Sequence, residues 1–339
     1  MDQYTKKIQN REDLTEAEIQ AVMRLIMAGD APHHSISEFL LALNAKGPTI
    51  NEITGAAKIL RLFSLQVTTR HPVVLDTCGT GGDKKNTFNI STIVAFVVAG
   101  AGVVVAKHGN RSVSSRCGSA DLLEALGVNL NVEQGHLGQC LDQIGIAFLF
   151  APNLHPAMKN VSPVRKTLGV ETIFNILGPL LNPAKATHQM MGVYSRDYVE
   201  PLAQVLKNLG LRRALVVHGS DGLDEVTITG KTFVSEFNGH EIISYDIEPA
   251  ELGFRLGDEV DLKGGELSTN MAIARDILQG GKGVKRDIVV LNAAYALYCA
   301  EKVSDILEGV KLAEHSLDRG KAFEKLEELK AFTQKYREA

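Results

Sequence analysis

Apolar positions in the first seventy residues recur at helical spacing, as in Ile19, Val22, Met23 and Ile26, or Ile53, Ala56, Ala57 and Leu60. These rows open after a Ser or Thr that is followed three places later by Glu: Thr15 with Glu18, Ser35 with Glu38, Thr49 with Glu52. That spacing predicts capping boxes, in which hydroxyl and carboxylate satisfy the backbone N–H groups that a helix start leaves without partners. Gly29 and Gly47 stand where the second and third helices need a left-handed break. No strand signal precedes Pro72.

The texture then changes. Val73-Val74-Leu75, Val103-Val104-Val105, Ile146 to Phe150 and Ala214 to Val217 are short apolar runs rich in β-branched residues. Helical patterns such as Thr92 to Ala99 and Leu122 to Leu126 lie between them. Such alternation predicts a largely parallel sheet covered by helices. Val164 to Pro183 interrupts it with helix-like sequence and a Gly-Pro turn, an excursion back to the helical layer. Phe323, Leu326, Leu329 and Phe332 mark a last amphipathic helix. The expected fold class is α/β. A small all-helical N-terminal domain spans residues 1–71, joined by an excursion at about 165–190. A larger domain, residues 72–164 and 191–339, carries a mostly parallel sheet flanked by helices.

Composition narrows the class of protein. With 339 residues, 45% of them hydrophobic and 22% charged, the chain buries its own core without a disulfide scaffold. Cys78, Cys117, Cys140 and Cys299 form no C-x-x-C pair, which points to free thiols in a reducing compartment rather than to zinc. The polar start Met1 to Arg11 lacks the apolar stretch of a secretion signal, and Gly100 and Gly102 break the apolar run Ile90 to Ala106 short of a membrane span. A cytoplasmic protein is expected, with no membrane partner. The net charge of −4 gives no general attraction to nucleic acid.

The candidate chemistry lies after the strands. Behind the first comes Asp76-Thr77-Cys78-Gly79-Thr80-Gly81-Gly82-Asp83, then Lys84 to Thr92. Three glycines in four positions remove the Cβ atoms that keep a bulky anion off the backbone, and a helix starting near Asn89 or Ser91 aims its first N–H groups into the loop. A Walker loop would need G-x-x-x-x-G-K-[ST], and a dinucleotide loop a glycine where Lys84 stands. The glycines alone fit a tight strand-to-helix turn equally well. Thr87, Ser91 and Thr92 beside them favour a diphosphate. After the next strand, Lys107-His108-Gly109-Asn110-Arg111-Ser112 and Ser114, Ser115 and Ser119 supply cations, hydroxyls and an amide where ligands gather in open α/β sheets. His108 is a weak candidate for a general base, since a single polar-loop His more often packs or hydrogen-bonds. Asp224-Glu225, behind a glycine turn after the strand Ala214 to His218, suits Mg²⁺ bound through carboxylate oxygens and substrate phosphates. An acidic pair by itself is equally at home in a solvated turn.

Taken in order, these segments resemble the anthranilate phosphoribosyltransferase family, through Asp76 to Thr92, Lys107 to Asp121, His155 to Lys159, Arg165 to Pro183, His218 to Val226 and Arg286 to Ala300. The resemblance implies a 5-phosphoribosyl 1-diphosphate site at Gly79, Gly82, Asp83, Thr87, Asn89, Ile90, Ser91, Thr92, the Lys107 to Ser115 loop and Ser119. It implies magnesium at Ser91, Asp224 and Glu225, and anthranilate at Asn110, Arg165 and the backbone near Gly79, walled by His108 and the Pro163 region. It further implies a helical domain hinged to the α/β domain, a homodimer formed through the helices, and a place in tryptophan synthesis. Two positions depart from the family's pattern: Lys84 where Gly is frequent, and Glu171 where Arg is frequent.

In the implied reaction diphosphate leaves the anomeric carbon as the aryl amine attacks it. The amine is neutral at pH 7, and the acceptor's own carboxylate can take its proton, so no general base is assigned. One alternative is a pyrimidine-nucleoside phosphorylase, which shares a lysine-bearing phosphate loop but needs no magnesium. Another is a non-catalytic relative that binds nucleic acid. Asp224-Glu225 and Asn89 to Thr92 weigh against the first, and 36 basic against 40 acidic residues against the second.

Overall fold

The computed structural model describes residues 1–112 and 117–337. Four helices come first: α1 (Asp2–Gln9), α2 (Glu16–Ala28), α3 (His33–Lys46) and α4 (Ile50–Leu62). Two capping boxes form as expected. Thr15 Oγ1 accepts from Glu18 N at 3.3 Å, and Thr49 Oγ1 from Glu52 N at 3.3 Å, while each glutamate reaches back to the cap's own N–H. The expected box at Ser35 and Glu38 does not form. Helix α3 starts three residues earlier, at His33 behind an extended Pro32, so Ser35 already lies inside the first turn and is buried. Proline's fixed φ and missing N–H set the start there instead. Gly29 closes α2 in the left-handed conformation, whereas Gly47, at φ 85° and ψ 123°, has positive φ but is not left-handed helical.

The rest alternates: β1 (Leu75–Asp76), α5 (Ile90–Gly100), β2 (Val105–Gly109), α6 (Ser119–Ala125), α7 (Gln134–Ile144), β3 (Ile146–Phe150), α8 (Ala151–Leu154), α9 (Ser162–Leu168), α10 (Phe174–Leu177), β4 (His188–Gly192), α11 (Val199–Asn208), β5 (Arg213–Gly219), β6 (Thr232–Phe237), β7 (Ile242–Ile247), α12 (Leu267–Leu278), α13 (Val284–Cys299), α14 (Ile306–Asp318) and α15 (Lys321–Gln334). Among the described residues the strands form one sheet in the order β3-β2-β1-β4-β5-β6-β7. Pairings are parallel through β5 and antiparallel for β6 and β7. All the parallel strands therefore end on one edge, and the loops that follow them meet there.

Two strand signals were weak. β4 reads His-Gln-Met-Met-Gly, with no β-branched residue, yet it is buried throughout. It is a central strand because its polar side chains find partners: His188 with Thr187 Oγ1 at 2.8 Å and Glu301 at 3.2 Å, Gln189 Nε2 with Pro179 O at 2.8 Å. The β6–β7 hairpin turns at Gly239-His240, with Asn238 N donating to Glu241 O at 3.2 Å, and its local signal is a lone glycine at φ 96° in the first turn position.

Alternating side chains on the sheet serve two cores. Met190, Leu215 and Val217 pack with α5, α13 and α15 on one face. Met191, Ala214 and Val216 face the other way, into a cluster shared with α11, α1 to α4, and Val161, Val164, Phe174, Leu177 and Leu180. The segment around α9 and α10 thus packs with the N-terminal helices. No helix among the described residues is long and apolar enough to cross a membrane.

Candidate functional site

Asp76 ends β1 and organises the strand edge. It is fully buried, accepts from His108 N at 3.1 Å and from Asn182 Nδ2 at 2.7 Å, and so ties β1 to β2. Burial pushes its carboxyl up to about 6, against the opposing pull of Asn182 and Lys107. Beyond it the glycine loop leans on the end of β4: Thr80 N donates to Gly192 O at 2.9 Å, and a Cβ on Gly79 would stand 2.8 Å from that oxygen. A Cβ on Gly192 would lie 1.5 Å from the Asp224 carbonyl oxygen, so only glycine lets β4 and the acidic loop approach this closely.

That approach brings the acidic pair onto the glycine loop. Asp224 Oδ2 accepts from Gly81 N at 2.9 Å, and Glu225 Oε1 accepts from Ser91 N, in the first turn of α5, at 3.1 Å. Asn292 on α13 fixes the next residue by accepting from Val226 N at 2.9 Å and donating to its carbonyl at 2.7 Å. Loss of solvent raises both carboxyls, and the Asp83 carboxylate raises Asp224 while Asp224 raises Glu225. Asp83 Oδ2 is itself buried without a hydrogen-bond partner. Three crowded carboxylates, one with an orphaned oxygen, suit a hard divalent cation with oxygen ligands. Asp83 was read in sequence only as a phosphate-loop residue, because nothing in the spacing shows that it meets Asp224.

Lys107, on β2, is buried at the floor. Its Nζ donates to Thr77 O at 3.2 Å, Thr77 Oγ1 at 3.3 Å and Ser91 Oγ at 3.3 Å. Of the stretch Asn89 to Thr92, the Ile90 side chain packs in the core and Thr92 is buried, while Asn89 Oδ1 is buried without a partner. Asn89 Nδ2 donates to Cys117 O at 3.0 Å, which joins the two polar loops. Gly82 is exposed, and Thr87 sits at the exit of the glycine loop.

In the second loop the geometry is mixed. Asn110 is exposed, and its carbonyl accepts from Ser119 Oγ at 3.2 Å. Arg111 faces away towards α6, donating to Asp121 at 2.8 Å and Glu124 at 2.8 Å. Ser112 N donates to Asp121 Oδ2 at 3.2 Å, and a Cβ on Gly109 would strike Ser119 Oγ at 2.5 Å. Ser114 and Ser115 lie outside the described residues. His108 and His155 meet Nε2 to Nε2 at 3.1 Å, and burial pushes them down to about 3 and about 4, with His155 lowering His108 further. Both rings are neutral and weakly basic at pH 7, which suits a pocket wall rather than a proton acceptor.

Arg165 lies on α9, in the helical layer. Its Nη2 donates to Asn175 Oδ1 at 3.3 Å, its guanidinium stands over the Phe174 ring at 5.3 Å, and burial lowers its pKa. A half-buried guanidinium with no carboxylate partner among the described residues is suited to bind one from a ligand. Asp76, Cys78 and His108 also bring ligand atoms within 4.8 Å of one another. Both Asp76 oxygens already accept hydrogen bonds and burial pushes the Cys78 thiol far up, so this trio is structural.

Comparison with known proteins places this architecture. The glycosyl transferase family, a/b domain, matches residues 71–323, and the glycosyl transferase family, helical bundle domain, residues 2–64. The chain is 48% identical over 332 residues to the anthranilate phosphoribosyltransferase of Symbiobacterium thermophilum, covering 98% of this chain and 97% of that one. It is 52% identical to that of Syntrophobacter fumaroxidans over 328 residues, 97% of each chain. The crystal structure of the Thermus thermophilus enzyme superposes with a TM-score of 0.92 at 43% identity, covering 97% of this chain and 99% of that one. The Saccharomyces cerevisiae enzyme, in complex with PRPP and Mg, gives 0.91 at 29% identity, covering 98% and 97%.

Proposed function

The chain belongs to the anthranilate phosphoribosyltransferase family, and we propose that it transfers the phosphoribosyl group of 5-phosphoribosyl 1-diphosphate to the amine of anthranilate, with magnesium. One observation carries the reading: Asp224 and Glu225 are held against the glycine loop and the first turn of α5 by Gly81 N and Ser91 N. An acidic pair brought onto an anion-binding loop fits a cation and an anion bound together.

Asp224, Glu225, Asp83 and the hydroxyl of Ser91 are the residues to hold magnesium, which when bound would neutralise charge on the diphosphate. The protein's own part is positional and electrostatic. The N–H groups of Gly79, Gly82 and Asp83 and the positive end of the α5 dipole receive the diphosphate oxygens, and Lys107 adds a fixed positive charge beneath them. Asn89 Oδ1 is free to accept from a sugar hydroxyl. Asn110, Arg165 and the backbone at Gly79 orient the acceptor, with the neutral His108–His155 pair as its wall. Charge grows on the leaving diphosphate, where these donors are already aimed, and the acceptor's carboxylate takes the proton released by its amine. Holding both substrates in line supplies the remainder of the acceleration.

The proposal extends to a helical domain of residues 1–71 with the 165–190 excursion, hinged to the remainder, and to a homodimer through the helices. The exposed Leu25, Leu41 and Leu62 on α2, α3 and α4 support that surface. It also extends to a role in tryptophan biosynthesis in the cytoplasm. Mixing the protein with anthranilate, 5-phosphoribosyl 1-diphosphate and Mg²⁺ should abolish the anthranilate fluorescence, and EDTA should prevent the loss. No loss with millimolar sugar diphosphate and Mg²⁺ would refute the reading, and phosphorolysis of thymidine would replace it with the nucleoside phosphorylase.

A further inference from the structure

We infer that Asn270, on α12, is a positioning residue for the sugar diphosphate, because its side chain holds the strap that backs the exit of the glycine loop. The inference rests on the functional reading above and deepens it. The glycine loop leaves the site through Lys85 to Phe88, and a strap from Leu262 to Gly265 backs that exit. Thr87 pairs with Lys263 in an antiparallel bridge, Phe88 N donates to Leu262 O at 3.3 Å, Gly264 N to Asn86 O at 3.0 Å and Lys263 Nζ to Lys85 O at 2.9 Å. The strap lies flat against the loop: a Cβ on Gly264 would meet Asn270 Oδ1 at 2.6 Å and Phe88 N at 2.8 Å.

Asn270 holds the strap from behind. It is 3% exposed, accepts from Gly265 N at 3.2 Å and donates to Gly265 O at 3.1 Å, as a neighbouring strand would. Cys117 closes the second polar loop, and its carbonyl is the one that accepts from Asn89 Nδ2 at 3.0 Å. Asn270 therefore acts on the glycine loop through the strap, and Asn89, at the end of that loop, ties it to the Lys107 loop through Cys117. Donors that must meet one diphosphorylated sugar from two loops lose their effect when the loops drift by a fraction of an ångström.

The test compares wild type, Asn270→Ala, the isosteric Asn270→Asp, which keeps the acceptor and loses the donor, and Asn129→Ala. Asn129 makes comparable bonds far from the site, to Thr333 O at 3.3 Å and Asn131 N at 3.0 Å. Calorimetry with 5-phosphoribosyl 1-diphosphate and Mg²⁺ gives Kd, steady-state kinetics gives each KM, and thermal unfolding gives Tm. Asn270→Ala should raise Kd and KM for the sugar diphosphate by about tenfold or more, with the anthranilate KM within about twofold. Asn270→Asp should fall between, and Asn129→Ala should lower Tm with Kd unmoved. Wild-type Kd in the Asn270→Asp protein, or equal rises in both KM values, overturns the inference while leaving the function standing. Failure of wild type to bind the sugar diphosphate overturns both.

Discussion

Lys84 turns the glycine loop at φ 58°, a left-handed conformation that costs an L-residue about 1–2 kcal/mol. Glycine enters it freely, which gives a physical meaning to a departure that the sequence shows only as a mismatch. Lys84→Gly should raise stability by about 1 kcal/mol, read as a higher urea midpoint at unchanged slope. A lower midpoint would show that the lysine makes a compensating contact. His108 and His155 illustrate what single residues conceal. The sequence offered one histidine in a polar loop; the structure pairs it with another 47 positions away. With folded-state pKa values of about 3 and about 4, below the ordinary 6.5, both rings stay neutral when folded. Their contribution is complete above pH 6.5 and is lost as pH falls towards 4, because the unfolded chain takes protons first. Asp76, raised to about 6, acts in the opposite sense over part of that range. The difference between wild type and His108→Gln/His155→Gln isolates the pair: the double variant's urea midpoint should fall less between pH 6.5 and 4, and parallel curves would refute the assignment.

Elements were legible wherever a local signal and burial agree. The capping boxes of α2 and α4 are spelled out within four residues, and the apolar runs behind β3 and β5 match strands covered on both faces, whereas the run Val103 to Val105 ends where β2 begins. β4 was not legible, since its residues are stabilised by partners such as Pro179 O and Glu301 that no window contains. The α4 start shows the same limit. Glu52 was read as half of a box, but it is 0% exposed, accepts from Leu14 N at 2.9 Å and pairs with Lys46 at 2.9 Å. Thr49→Ala should therefore cost about 1 kcal/mol, as caps do, whereas Glu52→Ala leaves Leu14 N and Thr49 N without their acceptor, while Lys46 keeps Asp13 and Gly47 O, and should cost about 2–4 kcal/mol. Equal losses in denaturant unfolding would mean that Glu52 acts only as a cap.

At the scale of the molecule, sequence texture separated a helical part from an alternating part and placed an excursion between them, but it did not show how far the two share packing. The apolar face of the N-terminal helices continues through Leu202 and Leu206 of α11 onto Met191 and Val216 of the sheet. Arg61 Nε, at the end of α4, donates to Leu180 O at 2.7 Å, and Val67 N to Pro183 O at 3.0 Å, so the excursion is pegged to both. A ligand bound at the strand edge therefore stabilises a fold whose layers share packing, and its binding energy should appear in global unfolding. At a hundred times Kd a ligand adds about 2.7 kcal/mol. With Mg²⁺, 5-phosphoribosyl 1-diphosphate should raise Tm by that linkage, rising further with each tenfold in concentration. With EDTA the shift should shrink, because Asp83, Asp224 and Glu225 then meet the diphosphate with no cation between them, and either repel it or must take up protons as it binds. Asp224→Asn removes one of those charges, so its shift should depend less on the metal than that of wild type. A wild-type shift that is the same with Mg²⁺ and with EDTA would mean that the three carboxylates hold no cation when the sugar binds.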